Sequence, residues 1–197
     1  MTFLEFQSKV QRLTKTSTRD AALVSLTKDA INVALYDVAR EQKWPELLTV
    51  RHELDLATAV DGTPITVPTD FIELERVKYS SGNYKWRLFP VGSVLPPQLV
   101  PGKPREYQLV SGNPISIVVD PYTAIVAEDQ LLIDYYKAPA ELVADGDEPS
   151  SNLWDNEILK RAEHYVFIYL GRPNEANAMW RTRLLAMKQQ SSTPENP

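Results

Sequence analysis

The sequence contains no cysteine, which excludes a disulfide framework and any thiolate metal site. Only two histidines, His52 and His164, are present, and only seven glycines. There is no HExxH, no GxSxG and no glycine-rich loop that would cradle a phosphate. No stretch approaches the roughly 20 apolar residues that a membrane span needs. The opening Met1-Thr2-Phe3-Leu4-Glu5-Phe6 lacks the basic region and unbroken apolar run of a secretion signal. An intracellular site of folding is the expectation. A basic cluster is also missing from the linear sequence: 21 Lys and Arg stand against 26 Asp and Glu, a net charge of −5. A protein that grips nucleic acid by its phosphates normally carries such a cluster.

What is present suffices for a folded domain. The 197 residues are 43% hydrophobic, an ordinary share that allows a sizeable core. Phe3, Phe6, Val10 and Leu13 recur at helical spacing. Ser17 and Thr18 offer N-caps for a second helix running to about Gln42, with Asp20 in its first turn. Leu23, Leu26, Ala30, Ala34 and Val38 form its stripe, broadened by Ile31 and Leu35, and Trp44-Pro45 closes the segment.

From Leu48 the period becomes two. Val50, His52, Leu54 and Leu56 are expected on one face, with Arg51, Glu53 and Asp55 on the other. Asp61-Gly62 reads as a hairpin turn before Ile65 and Val67. Further strands are predicted over 71–79, 84–89 and 107–110, around Ile115, Ile117 and Val119, and around Leu131, Ile133 and Tyr135. Gly112-Asn113 supplies a turn before Pro114. The stretch 90–104 holds Pro90, Pro96, Pro97, Pro101 and Pro104, so it reads as a long loop and a candidate partner contact.

Two helices return at the end. Asn152 or Asp155 caps the first, whose stripe is Ile158, Ala162, Tyr165, Val166 and Tyr169. Gly171 ends it and Pro173 opens the next, with Ala176, Met179, Trp180, Leu184 and Met187 as a stripe. A polar tail follows from Gln189 to Pro197.

The inventory for catalysis is thin, and no enzyme is predicted. Between Lys137 and Lys160 every charged residue is acidic: Glu141, Asp145, Asp147, Glu148, Asp155 and Glu157. A solvated loop is the plain reading; a surface that repels DNA or meets a basic partner is the functional one. Asp145-Gly146-Asp147-Glu148 invites a metal, but an EF-hand requires glycine where Ser150 stands and glutamate where Asn156 stands. No metal and no cofactor is therefore assigned. Glu73 and Glu75 share one face of a strand, as a solvated face does. Trp44 and Trp154 read as packing groups. Trp180, followed by Arg181 and Arg183, has the composition of an interface hot spot, although it also suits the seam of the final helices.

The order of parts resembles the head-to-tail adaptor (connector) proteins of tailed bacteriophages. The residues that carry the likeness begin with the long helix ending in Trp44 and the amphipathic strand after it. They continue through Ile65-Thr66-Val67-Pro68-Thr69-Asp70-Phe71-Ile72-Glu73-Leu74-Glu75-Arg76-Val77, in which a strand leads into a Pro-x-Asp-Phe element. The closing helices, Trp154 to Leu170 and Pro173 to Gln190, complete it. The resemblance implies an α+β fold: a helical bundle from residues 1–46 and 152–190, an inserted antiparallel β domain over 47–151, and a free tail over 191–197. It implies a virion structural protein at the head-tail junction, assembled in the host cytoplasm. Such a protein closes into a ring of about twelve copies, docks on the portal protein, carries a downstream tail or neck protein, and lets double-stranded DNA pass during packaging and ejection without specific binding. The portal-binding positions it implies are Trp180, Arg181, Arg183, Leu184 and the segment from Ser191 to Pro197. Val94, Leu95 and Leu99 in the proline-rich loop are assigned to the tail-facing side. A tail-completion or baseplate module is the alternative; a metal-assisted hydrolase built on residues 145–157 is the alternative from another class.

Overall fold

In the computed structural model, residues 1–54, 64–91, 104–112, 114–120, 129–179 and 181 are described. The chain divides into two units: Met1–Gln42 with the chain from Pro139 onward, and Lys43–Ala138. The first is helical and the second is a sheet, so the fold is mixed α+β.

Helix α1 spans Phe3–Thr14 and begins with a capping box, in which the Thr2 hydroxyl accepts from the Glu5 N–H while the Glu5 carboxylate accepts from the Thr2 N–H. Phe3, Phe6 and Val10 are buried on it as the spacing predicts; Leu13 is exposed, and Thr14 occupies the inner position instead. Helix α2 spans Ala21–Glu41. Its cap is Asp20, not Ser17 or Thr18: the Asp20 carboxylate accepts from the N–H groups of Ala22 and Leu23. An ionised acceptor at a helix N-terminus also meets the dipole, which a hydroxyl cannot do. Ala30, Ile31, Ala34, Leu35 and Val38 are buried, and burying a side chain the size of Ile31 or Leu35 is worth about 1.5–3 kcal/mol.

A 3-10 turn, Asn152–Trp154, is capped by the Ser151 hydroxyl and leads directly into α3, Asp155–Tyr169. Neither Asn152 nor Asp155 caps the helix, because the turn before it has already curled the chain. Phe167, not Tyr169, lies on the inner stripe; Tyr169 is exposed. The helix ends in a Schellman motif: the Gly171 N–H donates to the Ile168 carbonyl and the Arg172 N–H to the Phe167 carbonyl, with Gly171 at φ +68°. Residues 173–179 are again helical.

The second unit is one seven-stranded sheet of order β1-β7-β3-β4-β5-β6-β2. Its strands are β1 (Leu48–Leu54), β2 (Ile65–Thr66), β3 (Phe71–Ser81), β4 (Tyr84–Pro90), β5 (Glu106–Val110), β6 (Ser116–Asp120) and β7 (Asp129–Lys137). The hairpin loop Gly82-Asn83 joins β3 to β4, with Gly82 at φ +54°. The sheet is mixed rather than wholly antiparallel, since β4 and β5 run parallel. A parallel pair needs a long connection instead of a tight turn, and the proline-rich stretch between Pro90 and Glu106 provides the length. Where that stretch rejoins the sheet, the Trp86 indole donates to the Pro104 carbonyl at 2.6 Å. The core lies on one face, with Val77, Tyr79, Leu88, Ile117, Leu131 and Ile133 fully buried.

One expectation for the start of the sheet is corrected. Val50 is exposed and not inward, because the register slips between Thr49 and His52. The extra residue makes a bulge in which Arg51 takes φ +57°, a costly conformation for a residue with a Cβ. Beyond the slip, His52 faces inward and meets Tyr135 edge to face at 5.6 Å. The Asp61-Gly62 turn and residues Asp55 and Leu56 lie outside the described residues. In the Pro-x-Asp-Phe element, the Phe71 N–H donates to the Pro68 carbonyl and the Asp70 carboxylate accepts from the Tyr135 hydroxyl at 3.0 Å. Phe71 stacks on the Tyr135 ring.

The bulge is held by Asp134 on β7, which accepts from the Arg51 N–H at 2.9 Å and from the Lys78 ammonium at 2.7 Å. Burial opposes the charged carboxylate, but these donors outweigh it and hold the carboxyl below its ordinary 3.8. A depressed carboxylate contributes stability that is complete above its ordinary value and lost as pH falls through the folded one. Asp134→Asn is expected to cost about 1–3 kcal/mol at neutral pH. In thermal melts the gap between the two proteins should be full above pH 3.8 and close below it. A gap unchanged down to strong acid contradicts this account. Separately, among the described residues a Cβ built at Gly171 meets no atom within 4 Å beyond its neighbours in the chain. Gly171→Ala is therefore expected to cost about 1 kcal/mol through backbone conformation alone, read from urea unfolding.

Candidate interaction surfaces

Of the positions assigned to portal binding, Arg181 is described: it is helical and exposed. Trp180, Arg183, Leu184, Ser191 and Pro197 lie outside the described residues, as do Val94, Leu95 and Leu99. The anchor from which the last segment leaves is well defined. Arg172 donates to the Thr14 carbonyl at 3.1 Å, lies over the Phe167 ring at 4.8 Å and pairs with Glu175. Ala176 is fully buried, and its carbonyl is 3.3 Å from Nδ1 of His164. Both histidines thus sit against packed partners.

Partly buried polar contacts also tie α3 to α2. Arg161 pairs with Glu41, and the Tyr165 hydroxyl donates to Asp37. Burial and the Asp37 carboxylate push the Tyr165 phenol up to about 12, so it serves as a neutral donor.

The acidic stretch is built as structure. The Asp147 carboxylate accepts from the N–H groups of Val143 and Ala144, both at 2.8 Å, and these bonds lower its titration. The carbonyls of Asp147 and Asp145 accept from the N–H groups of Phe3 and Leu4 at 2.7 and 3.0 Å. The turn thereby satisfies two donors at the start of α1 that a helix leaves open. Glu157 pairs with Lys160. Among the described residues no group of three or more His, Cys, Asp or Glu is placed to hold a metal ion. Glu141, Asp145 and Glu148 remain exposed, in a stretch that also exposes the apolar side chains of Val143 and Leu153 at 71% and 77%. A cleft of about 340 Å³ beside it is lined by Asn32, Val33, Leu35, Tyr36, Pro139 and Glu141.

Glu73 and Glu75 do not form an acid-base pair. The Lys43 ammonium binds both, at 3.0 and 2.8 Å, and holds the Glu75 carboxyl low.

A basic face that the linear sequence does not display is assembled by the sheet. Lys78 stands directly opposite Arg87, and Ser80 opposite Lys85. Val77 and Tyr79 point into the core, so Arg76 and Lys78 take the other face, with Lys85 and Arg87 beside them. Arg76, Lys85 and Arg87 are exposed. Asp134 answers Lys78; among the described residues the other three make no ion pair. Arg87 lies over the exposed Phe89 ring at 5.9 Å. The signal for this face is the alternation of basic residues at 76, 78, 85 and 87 across a two-residue turn.

No helix among the described residues is long and apolar enough to cross a membrane. Comparison with curated proteins finds no match. The family model described as SU10 adaptor protein matches residues 1–196, essentially the whole chain. The chain belongs to the SU10 adaptor protein family, a family of phage head-to-tail adaptors.

Proposed function

We propose that this chain is a ring-forming structural protein of the virion that docks on the portal, extends the DNA channel and carries the next tail component. The family match over residues 1–196 carries this reading. In it, the helices of both ends form one bundle. Three contacts support that arrangement: Arg161 with Glu41, Tyr165 with Asp37, and Arg172 with the Thr14 carbonyl. The bundle presents the last helix and the tail, with Trp180, Arg181, Arg183, Leu184 and residues 191–197, to the portal. The sheet unit carries the segment with Val94, Leu95 and Leu99 toward the tail partner.

Mixing the purified chain with portal rings and imaging the product tests the proposal. A symmetric added layer is expected; portal rings that remain bare refute it. Removing residues 191–197 is expected to leave the melting temperature unchanged and to weaken portal docking about tenfold or more. Equal docking by the shortened and full chains refutes the assignment of the tail.

A further inference from the structure

Two exposed surfaces of this chain carry opposite charge. The basic face of β3 and β4 carries three exposed cations without an ion pair among the described residues, Arg76, Lys85 and Arg87, and Lys85, Arg87 and the exposed ring of Phe89 alternate along one face of β4. The 141–148 turn exposes Glu141, Asp145 and Glu148 beside Val143. Each surface pairs one sign of charge with exposed apolar area, the composition from which wet, oriented protein contacts are made. The turn is rigidly held by Asp147 and by the N-terminus of α1, so little ordering cost accompanies its docking.

We infer that the basic β3–β4 face of one copy docks on the acidic 141–148 turn of a second copy of this chain. The inference rests on the ring reading and supplies it with a subunit contact. The two patches differ, so the contact is heterologous, and repetition of a heterologous contact gives a ring where the rotation closes. A nucleic acid fits the basic face less well. The exposed Phe89 finds an apolar counterpart in Val143 and none in a phosphate backbone.

The test uses the full chain, with self-association followed by sedimentation at low salt and again at about 1 M, where screening shortens to about 3 Å. Association that rises with concentration and falls with salt is expected. The charge reversals K85E/R87E and D145K/E148K should each weaken it about tenfold or more. An equimolar mixture of the two variants should regain it, because the reversed face of one then meets the reversed turn of the other. Circular dichroism confirms folding; should K85E/R87E not fold, the neutral K85Q/R87Q takes its place for the weakened association alone, and the restoration is not asked of it. A wild-type chain that stays monomeric overturns the inference, as do variants that associate like wild type, or folded variants that fail to restore each other. Retardation of duplex DNA that K85E/R87E abolishes while self-association persists also overturns it and assigns the face to nucleic acid. The adaptor reading is judged separately by portal docking, so a chain that docks on portal rings yet fails here loses the subunit contact alone.

Discussion

A single carboxylate, Asp134, sets the arrangement of the sheet around it. It lies on β7, between β1 and β3, and reaches both neighbours: the Arg51 N–H on one side and the Lys78 ammonium on the other. The first bond stabilises a backbone that a β-carbon disfavours, at φ +57°. That bulge moves β1 by one residue, and a one-residue slip exchanges the faces of a strand. His52 and Leu54 then point into the core, while Val50 is left outside. The second bond fixes which of the basic residues on the outer face is neutralised. Register and surface charge therefore depend on the same buried group.

A similar constraint governs the helical unit, where polar groups that look functional in isolation are engaged in holding the chain. The residues 139–151 have no regular secondary structure, yet their carbonyls and the Asp147 carboxylate are tied to α1 and to one another. The Asn32 side chain on α2 both donates to the Leu142 carbonyl and accepts from its N–H. An acidic loop set against a helix N-terminus is electrostatically favoured. The same carboxylates that suggested a cation site thus have a structural reason to be there, and only the outward ones are available to a partner.

Much of this was legible in the sequence because burial follows period. The stripe Ala30, Ile31, Ala34, Leu35 and Val38 and the alternations at Leu131, Ile133 and Tyr135 are direct consequences of one-sided packing. Gly171 followed by Pro173 located the end of α3, because left-handed φ and a fixed proline φ leave few other uses for that pair. Three features were not legible, for a common reason. The bulge at Arg51, the parallel β4–β5 pairing and the basic face all depend on which strand lies beside which. Arg51 needs Asp134 from 83 residues away, a partner that local pattern cannot name. Choosing Asp20 over Ser17 and Thr18 as the cap was a competition among three adequate residues, decided by where α2 must begin to bury its stripe. The assigned portal-facing positions rest on family resemblance instead, and Arg181 alone of them is described, exposed on a helix.

Net charge is a poor guide to such a molecule. A balance of −5 describes a chain that excludes polyanions only if the charge is spread evenly. Here the acids concentrate between Lys137 and Lys160, while the bases at 76, 78, 85 and 87 are gathered by the alternation of two paired strands. Directly opposed like charges such as Lys78 and Arg87 destabilise a sheet. Among the described residues the one ion pair on this face is that of Lys78 with Asp134, and Glu75 draws on Arg76 and Arg87 only through space. Residual repulsion of this kind is removed by an anionic neighbour, so its persistence in the isolated chain is physically coherent for a part whose completed surface includes another molecule.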